Sequence, residues 1–267
     1  MSEIIRQQNP HWEGTKYNYP LKRDLYKEIE ENIYNKLIIS IEGPRRVGKS
    51  IIMKQMIDQL ISKGINPHNI LYFSFDDYTQ KITQIVKDFE AIRNQNIRNE
   101  KYYFFFDEVQ KIKDWQVYIK ILFDNYSNIK LVISGSTLRV CKKESLAGRI
   151  FEFFLKPLSF KEYLKFTNKE KILNSNIDEV YLTEYNNYLF RQYPDLVIDQ
   201  NLNINKYVAS IVQKIVFEDS EKYLEKVDKD LLHSITTIIF RDPGQIIDYQ
   251  DLAKDFGTER RTISKYI

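Results

Sequence analysis

The sequence predicts an α/β protein built on a parallel sheet, and three observations lead there. An apolar, β-branched run, Lys36 to Glu42, enters the loop Gly43-Pro44-Arg45-Arg46-Val47-Gly48-Lys49-Ser50 and leaves it in a stretch with helical apolar spacing, Ile51 to Ile61. A second run, Lys101 to Phe106, is unbroken and closes on Asp107-Glu108, as in a strand covered on both faces. Helix-spaced stretches precede or follow each strand-like run, which places the strands side by side with helical crossovers.

The loop fits G-x-x-x-x-G-K-[ST], a phosphate-binding pattern. Gly43 and Gly48 let the backbone turn its N–H groups toward phosphate oxygens, where a Cβ obstructs. The helix start after Gly48 adds unpaired donors and the positive end of its dipole. In this reading Lys49 brings its charge to the β- and γ-phosphates, and the Ser50 hydroxyl is a Mg²⁺ ligand. The nucleotide-contacting set is Gly43, Pro44, Arg45, Arg46, Val47, Gly48, Lys49, Ser50 and Ile51. The two acids of the other run match it: Asp107 is expected to hold Mg²⁺ at one remove, and Glu108 to polarise the water that attacks the γ-phosphate.

With 267 residues the chain accommodates one or two domains. Its 40 basic and 37 acidic side chains leave a net charge of +3, so any contact with a polyanion has to come from a local patch. The single cysteine, Cys141, excludes an internal disulfide framework and suits a reducing compartment. The start of the chain, with Glu3 and Arg6, has no apolar signal core, and no apolar run approaches membrane-spanning length. A cytoplasmic protein without membrane contact is expected. The histidines, His11, His68 and His233, are scattered, so no structural metal site is indicated.

In order, residues 1–20 read as an irregular arm, in which Trp12, Tyr17 and Tyr19 either stack on a base or pin the arm to the body. A helix is expected from Leu21 to about Asn35 and a strand over Ile70–Phe75, with Asp76-Asp77 as a cap or solvated turn, against acids that approach the site from the strand end. A helix over about 79–98 precedes the third strand, and Asp114 caps the next one, with Trp115, Ile119 and Leu122 on its core face. The fourth strand is Ile129–Ser134, followed by Gly135-Ser136-Thr137, whose hydroxyls are placed to orient the attacking water. Ile150–Leu155 is a fifth strand. Arg149 before it is the candidate arginine for neutralising charge on the γ-phosphate, against a plain surface ion pair.

The loop, the strand ending Asp107-Glu108 with Trp115 after it, Ser134-Gly135-Ser136, Ser145-Leu146-Ala147-Gly148-Arg149 and Pro157-Leu158-Ser159-Phe160-x-Glu162-Tyr163 occur in that order. Together they resemble the AAA+ superfamily P-loop ATPases of bacteria and archaea that carry an ATPase module, a winged-helix segment and a nuclease-like C-terminal domain. The similarity spans about residues 36–267. It implies a P-loop NTPase fold of the AAA+ type with a parallel five-stranded sheet in the order 5-1-4-3-2, and ATP with Mg²⁺ at the strand ends. It also implies an α-helical lid and a partial winged-helix segment. Where the family often shows Gly-Gly-Tyr-Pro, this chain has Arg191-Gln192-Tyr193-Pro194, so Arg191 is either a phosphate sensor or a solvent-facing side chain. The family continues past the position of Ile267, and a fragment and a short relative are both open.

Four segments are expected: an N-terminal arm and helix (1–35), the ATPase core (36–167), a helical lid (168–227) and a helix-turn-helix segment (228–267). In the last, a helix over Leu231–Phe240 is followed by one opened by Asp248, a turn at Gly257, and a third capped by Thr258 with Ile263 and Ile267 inward. Arg260, Arg261, Ser264 and Lys265 then lie outward, where a reader of double-stranded DNA places its contacts and where a protein partner fits equally. The expected activity is Mg²⁺-dependent ATP hydrolysis that drives a change in partner-facing helical regions. Glu108, Lys49 and Arg149 are its catalytic residues and Ser134 or Ser136 its γ-phosphate sensor, with ADP as product. Arg149 acts within its own subunit or in a neighbour of a homo-oligomer. The alternative is a nucleotide-dependent DNA-binding regulator or switch with little turnover.

Overall fold

Apolar runs without polar alternation can be buried only between two covering layers, and the sheet shows this. The computed structural model describes residues 2–78, 80–136, 138, 146–174, 179–220, 227–242 and 244–267. Thr79, Thr137, Cys141 and Ser145, singled out above, lie outside them. Strands β1 (Ile38–Glu42), β2 (Ile70–Ser74), β3 (Tyr102–Asp107), β4 (Ile129–Gly135) and β5 (Ile150–Phe154) form one parallel sheet in the order β2-β3-β4-β1-β5. This is the expected order, 5-1-4-3-2, read from its other edge. The three inner strands are buried along their whole length, whereas β5, at one edge, leaves Phe151 exposed.

Side chains of β3 divide by the pleat. Tyr102, Phe104 and Phe106 enter a core with α4 (Ile82–Arg93) and α5 (Trp115–Asn125). Tyr103 and Phe105 enter the opposite one, with α2 (Leu25–Glu31) and α3 (Lys49–Ser62). Two expected helices are shorter than their apolar stripes: α2 is one, and α4 stops where Asn94 turns left-handed at φ 49°. Asp114 does not cap α5 through its side chain; its backbone is left-handed, φ 57°, which turns the carboxylate off the helix start.

The first twenty residues correct the expectation of an irregular arm. They hold α1 (Ser2–Gln8) and a 3₁₀ turn, Pro10–Glu13, packed on the open edge of β2. Gln8 and Asn9 use their amides as stand-ins for a neighbouring strand. The Tyr72 N–H donates to Asn9 Oδ1 at 2.7 Å, and Asn9 Nδ2 returns a bond to the Tyr72 carbonyl at 2.8 Å. Gln8 Oε1 accepts from the Ser74 N–H at 2.7 Å, and Trp12 Nε1 donates to the Ile70 carbonyl at 2.8 Å. An edge whose donors are taken in this way offers no template for another strand. Trp12 therefore pins the arm, packing beside Phe89 and His68.

Contacts divide the chain into two units, Met1–Asn201 and Leu202–Ile267, so the division falls inside the segment expected as one lid. The first unit ends with α6 (Phe160–Phe166), α7 (Glu179–Phe190) and α8 (Pro194–Ile198), joined by a small core of Leu158, Tyr163, Leu164 and Val197. Ser159 and Glu162 close a capping box at the start of α6. The second unit holds α9 (Ile204–Lys214), α10 (Lys229–Arg241), α11 (Tyr249–Asp255) and α12 (Arg260–Tyr266), the last three gathered on Ile235, Ala253 and Ile263. Asp248 caps α11 as expected. Glu259, not Thr258, stands before α12, and Ile267 is 47% exposed rather than inward, because the helix ends before it completes another turn. No helix among the described residues is long and apolar enough to cross a membrane.

Candidate functional site

The glycine-bounded loop joins β1 to α3 at the carboxyl edge of the sheet, and each glycine there has its own cause. A Cβ on Gly43 would stand 2.1 Å from the Leu155 carbonyl oxygen, so the chain leaving β5 requires its absence. Gly48 takes φ 101° with open space where a Cβ would stand, which leaves a hollow over the helix start. Arg46 is also left-handed, φ 63°. Lys49 opens α3 and is buried, its Nζ donating to the Gly43 and Pro44 carbonyls at 3.1 and 2.9 Å. Burial lowers its pKa, and the carboxylates of Glu108 and Asp107 oppose that shift. Ser50 is half-buried on the first turn of the same helix.

The acids of β3 reach the same rim, where Glu108 Oε1 lies 3.8 Å from Lys49 Nζ. Asp107 is buried and accepts from the Tyr72 hydroxyl at 2.8 Å and from the Ser134 hydroxyl. Glu108 sits at φ 56° just past the strand and accepts from Gln110 Nε2. Its own N–H donates to Ser134 Oγ at 3.4 Å. Ser134 is thus engaged with both acids, and Ser136 joins them by accepting from Gln110 at 3.2 Å. Asp76, at the end of β2, meets Lys111 at 2.8 Å instead of the loop.

Beside the loop is a largely apolar cavity of about 350 Å³, lined among others by Tyr19, Val47, Ile51, Gln55, Phe166 and Ile198. Of the three arm aromatics only Tyr19 borders it; the Tyr17 N–H is held by Asp58. Gln55 gives its amide hydrogens to the Tyr19 and Leu21 carbonyls at 2.9 and 2.8 Å. This fixes the amide's orientation and leaves its buried Oε1 without a donor.

Arg149 lies elsewhere. Its carbonyl accepts from Ile38 N–H at 2.8 Å, and the β1–β5 register runs from Ile38↔Ile150 to Glu42↔Phe154. It is therefore at the opposite end of β1 from the loop, roughly 16 Å of strand away, and pairs with Asp124 at 3.0 Å. The structure does not bring it to the loop of its own chain. Arg191 donates to the Leu196 and Gln200 carbonyls at 2.7 and 3.2 Å, which places it as a staple of the α7–α8 turn.

Sequence reasoning missed Tyr72, Gln55, Gln110 and the buried pair of Arg23 with Glu162. A signal existed only for Glu162, in the Ser-x-x-Glu spacing of a capping box. Arg23 meets a partner 139 positions away, a separation that no local pattern encodes.

Residues 35–164 match a family model described as an AAA domain. The chain is 30% identical over 237 residues to an uncharacterised protein of Haemophilus influenzae, covering 85% of this chain and 58% of that one. It is 27% identical over 283 residues to an uncharacterised protein of Methanocaldococcus jannaschii, covering 93% and 59%. The chain thus spans less than two thirds of the length of these curated relatives. Among solved structures it is similar to a RuvB variant of Thermotoga maritima, with 15% identity, 98% and 84% coverage and a TM-score of 0.42. A second RuvB variant of that organism gives 18% identity, 92% and 83% coverage and 0.40. With the sheet order, the loop and the acids at one rim, the family match identifies residues 35–164 as an AAA domain.

Proposed function

We propose that this chain hydrolyses ATP with Mg²⁺ and transmits the outcome through its helical segments. The observation that carries this reading is the meeting of Lys49 and Glu108 at one rim, 3.8 Å apart, with Asp107 beside them. The hollow over Gly48 and the amides that open α3 suit a polyphosphate. The apolar cavity suits a base. There the fixed amide of Gln55 has only an acceptor left to offer, which suits an N–H of a base.

The Ser50 hydroxyl and the Asp107 carboxylate are the hard oxygen donors that Mg²⁺ prefers, and these two residues would hold it. Bound there, the ion supplies charge neutralisation at the β- and γ-phosphate oxygens. Lys49 turns its ammonium from the loop carbonyls to the phosphates. Glu108, steadied by Gln110, orients the attacking water and takes its proton. Ser134 keeps the two acids in register, and Ser136 reports on the γ-phosphate through Gln110. Arg149, directed away from its own loop, serves the site of a neighbouring copy.

Replacing Glu108 by Gln tests this. ATP binding is retained while turnover falls about a hundredfold or more. Undiminished turnover, or a wild-type chain that binds no nucleotide, removes the proposal. A second reading, a DNA-binding switch with little turnover, draws on the exposure of Arg260, Arg261, Ser264 and Lys265 on α12. It requires salt-dependent duplex binding that disappears when the two arginines are neutralised.

A further inference from the structure

Arg23 is buried before α2, outside every motif in the sequence, yet its guanidinium reaches the phosphate loop. Nη1 donates to the Val47 carbonyl at 2.6 Å, and Nη2 to the Lys156 carbonyl at 2.8 Å. Nε and Nη2 form a two-pronged pair with Glu162 at 2.8 and 3.1 Å. Glu162 is itself fixed from two further sides, accepting from the Asp24 N–H at 2.9 Å and from the Ser159 N–H at 2.9 Å. Burial alone raises its pKa, but these bonds and the guanidinium hold it below its ordinary value. A carboxylate with about four acceptor sites, all filled, has no freedom to turn. Nor has the planar guanidinium locked to it.

The Val47 carbonyl belongs to the same peptide plane as the Gly48 N–H. In a trans peptide these two groups point in opposite directions. Gly48, at φ 101°, has no side chain to fix that plane, so a hold on the carbonyl sets the direction of the N–H. We propose that Arg23 is a positioning residue for the phosphate site: by gripping Val47 it aims the Gly48 N–H at the nucleotide's β-phosphate. Through Glu162 and Lys156 it ties that aim to the segment between β5 and α6. This rests on the ATP reading above. The segment meets the loop twice, at Gly43 through the Leu155 carbonyl and at Val47 through Arg23, so a shift of α6 is felt by the phosphate amides.

An ion pair this buried contributes little net stability compared with apolar side chains of similar volume, and removing one partner alone is costly. That separates positioning from mere packing. Two variants are compared with wild type for binding of Mg-ADP and of AMP, which lacks the β-phosphate, alongside thermal melting. Arg23→Lys keeps a charge beside Glu162 but not the fork that reaches Val47. Arg23→Met with Glu162→Met removes both charges and keeps the apolar stem against the base cavity. ADP affinity is expected to fall about tenfold or more in both variants. AMP affinity should stay within about twofold, and the double variant, which leaves the Val47 and Lys156 carbonyls and the Asp24 and Ser159 N–H groups without their partners, should melt below wild type. Arg23→Lys decides the question even where the double variant does not fold. Unchanged ADP affinity in Arg23→Lys, or equal losses for ADP and AMP, overturns the positioning role while leaving the ATP reading intact. A wild-type chain that binds neither nucleotide sinks both.

Discussion

Two lysines are buried at opposite ends of the same sheet, and they are held differently. Lys130, on β4 near its start, donates to the carbonyls of Asn32, Asn35 and Leu37 and to Asn35 Oδ1, all within 2.5–3.0 Å. Lys49, at the carboxyl edge, donates to two carbonyls and faces Glu108 and Asp107. Burial pushes the Lys130 ammonium down to about 7, with Lys101 adding to the push, whereas the acids near Lys49 oppose the same effect. One cation is saturated by the backbone it ties together. The other has two carbonyls and faces two acids, and under the proposed reading an incoming phosphate offers it more than it gives up. Burial by itself does not separate a structural charge from a working one; the chemistry of the partners does.

Exchanging each lysine for methionine is the largest test of that contrast. Lys130→Met leaves three buried carbonyls without a donor, and unfolding should become easier by about 3 kcal/mol with ADP affinity unchanged in the folded protein. Lys49→Met, which leaves two carbonyls rather than three without a donor, should lower ADP affinity about a hundredfold with a smaller loss of stability than Lys130→Met. Should both variants lose stability alike and affinity alike, the contrast is void.

Acid sensitivity should also belong to the structural end. His11, buried against the Ile70 carbonyl at the start of β2, has its pKa lowered by burial to about 4. Between that value and about 6.5 the unfolded chain binds a proton that the folded one refuses. Stability is therefore complete above the window and is lost as pH falls through it, by up to about 2–3 kcal/mol. Chemical denaturation of His11→Gln across this range should show a flatter slope. An unaltered slope shows that the buried imidazole is not its source.

The smallest effect is expected at the exposed pair of Arg149 and Asp124. Asp124→Ala should shift unfolding by about 0.5 kcal/mol or less. Arg149→Ala should leave ATP binding intact and slow turnover only where copies of the chain associate. A loss of turnover that is independent of protein concentration and assembly would return Arg149 to its own subunit, against the strand register.

The strands were legible as short, mostly apolar runs bounded by turn residues, their order only through the family resemblance, and the loop because a phosphate cradle needs glycine at fixed positions. Asp107 and Glu108 were legible as acids closing such a run. The N-terminal arm was not, since Gln8 and Asn9 pair with β2 through side-chain amides that follow neither a 2.0 nor a 3.6 period. Arg149 was expected at the site of its own or a neighbouring subunit, and the parallel β1–β5 register puts it at the far edge of the sheet from its own loop. Ser134 was expected as a γ-phosphate sensor, and the packing of β3 against β4 shows its hydroxyl donating to Asp107. Arg23 left no trace, because nothing local distinguishes a buried guanidinium from a surface one.

The carbonyl of Leu155 against Gly43 has a consequence for synthesis. A nascent chain that has emerged only through β4 possesses every residue of the nucleotide motif, yet lacks the strand that presses the loop into shape. Under the proposed reading, competence for ATP should arrive late on the ribosome, after β5 has docked, so that an unfinished product neither captures nor consumes the nucleotide.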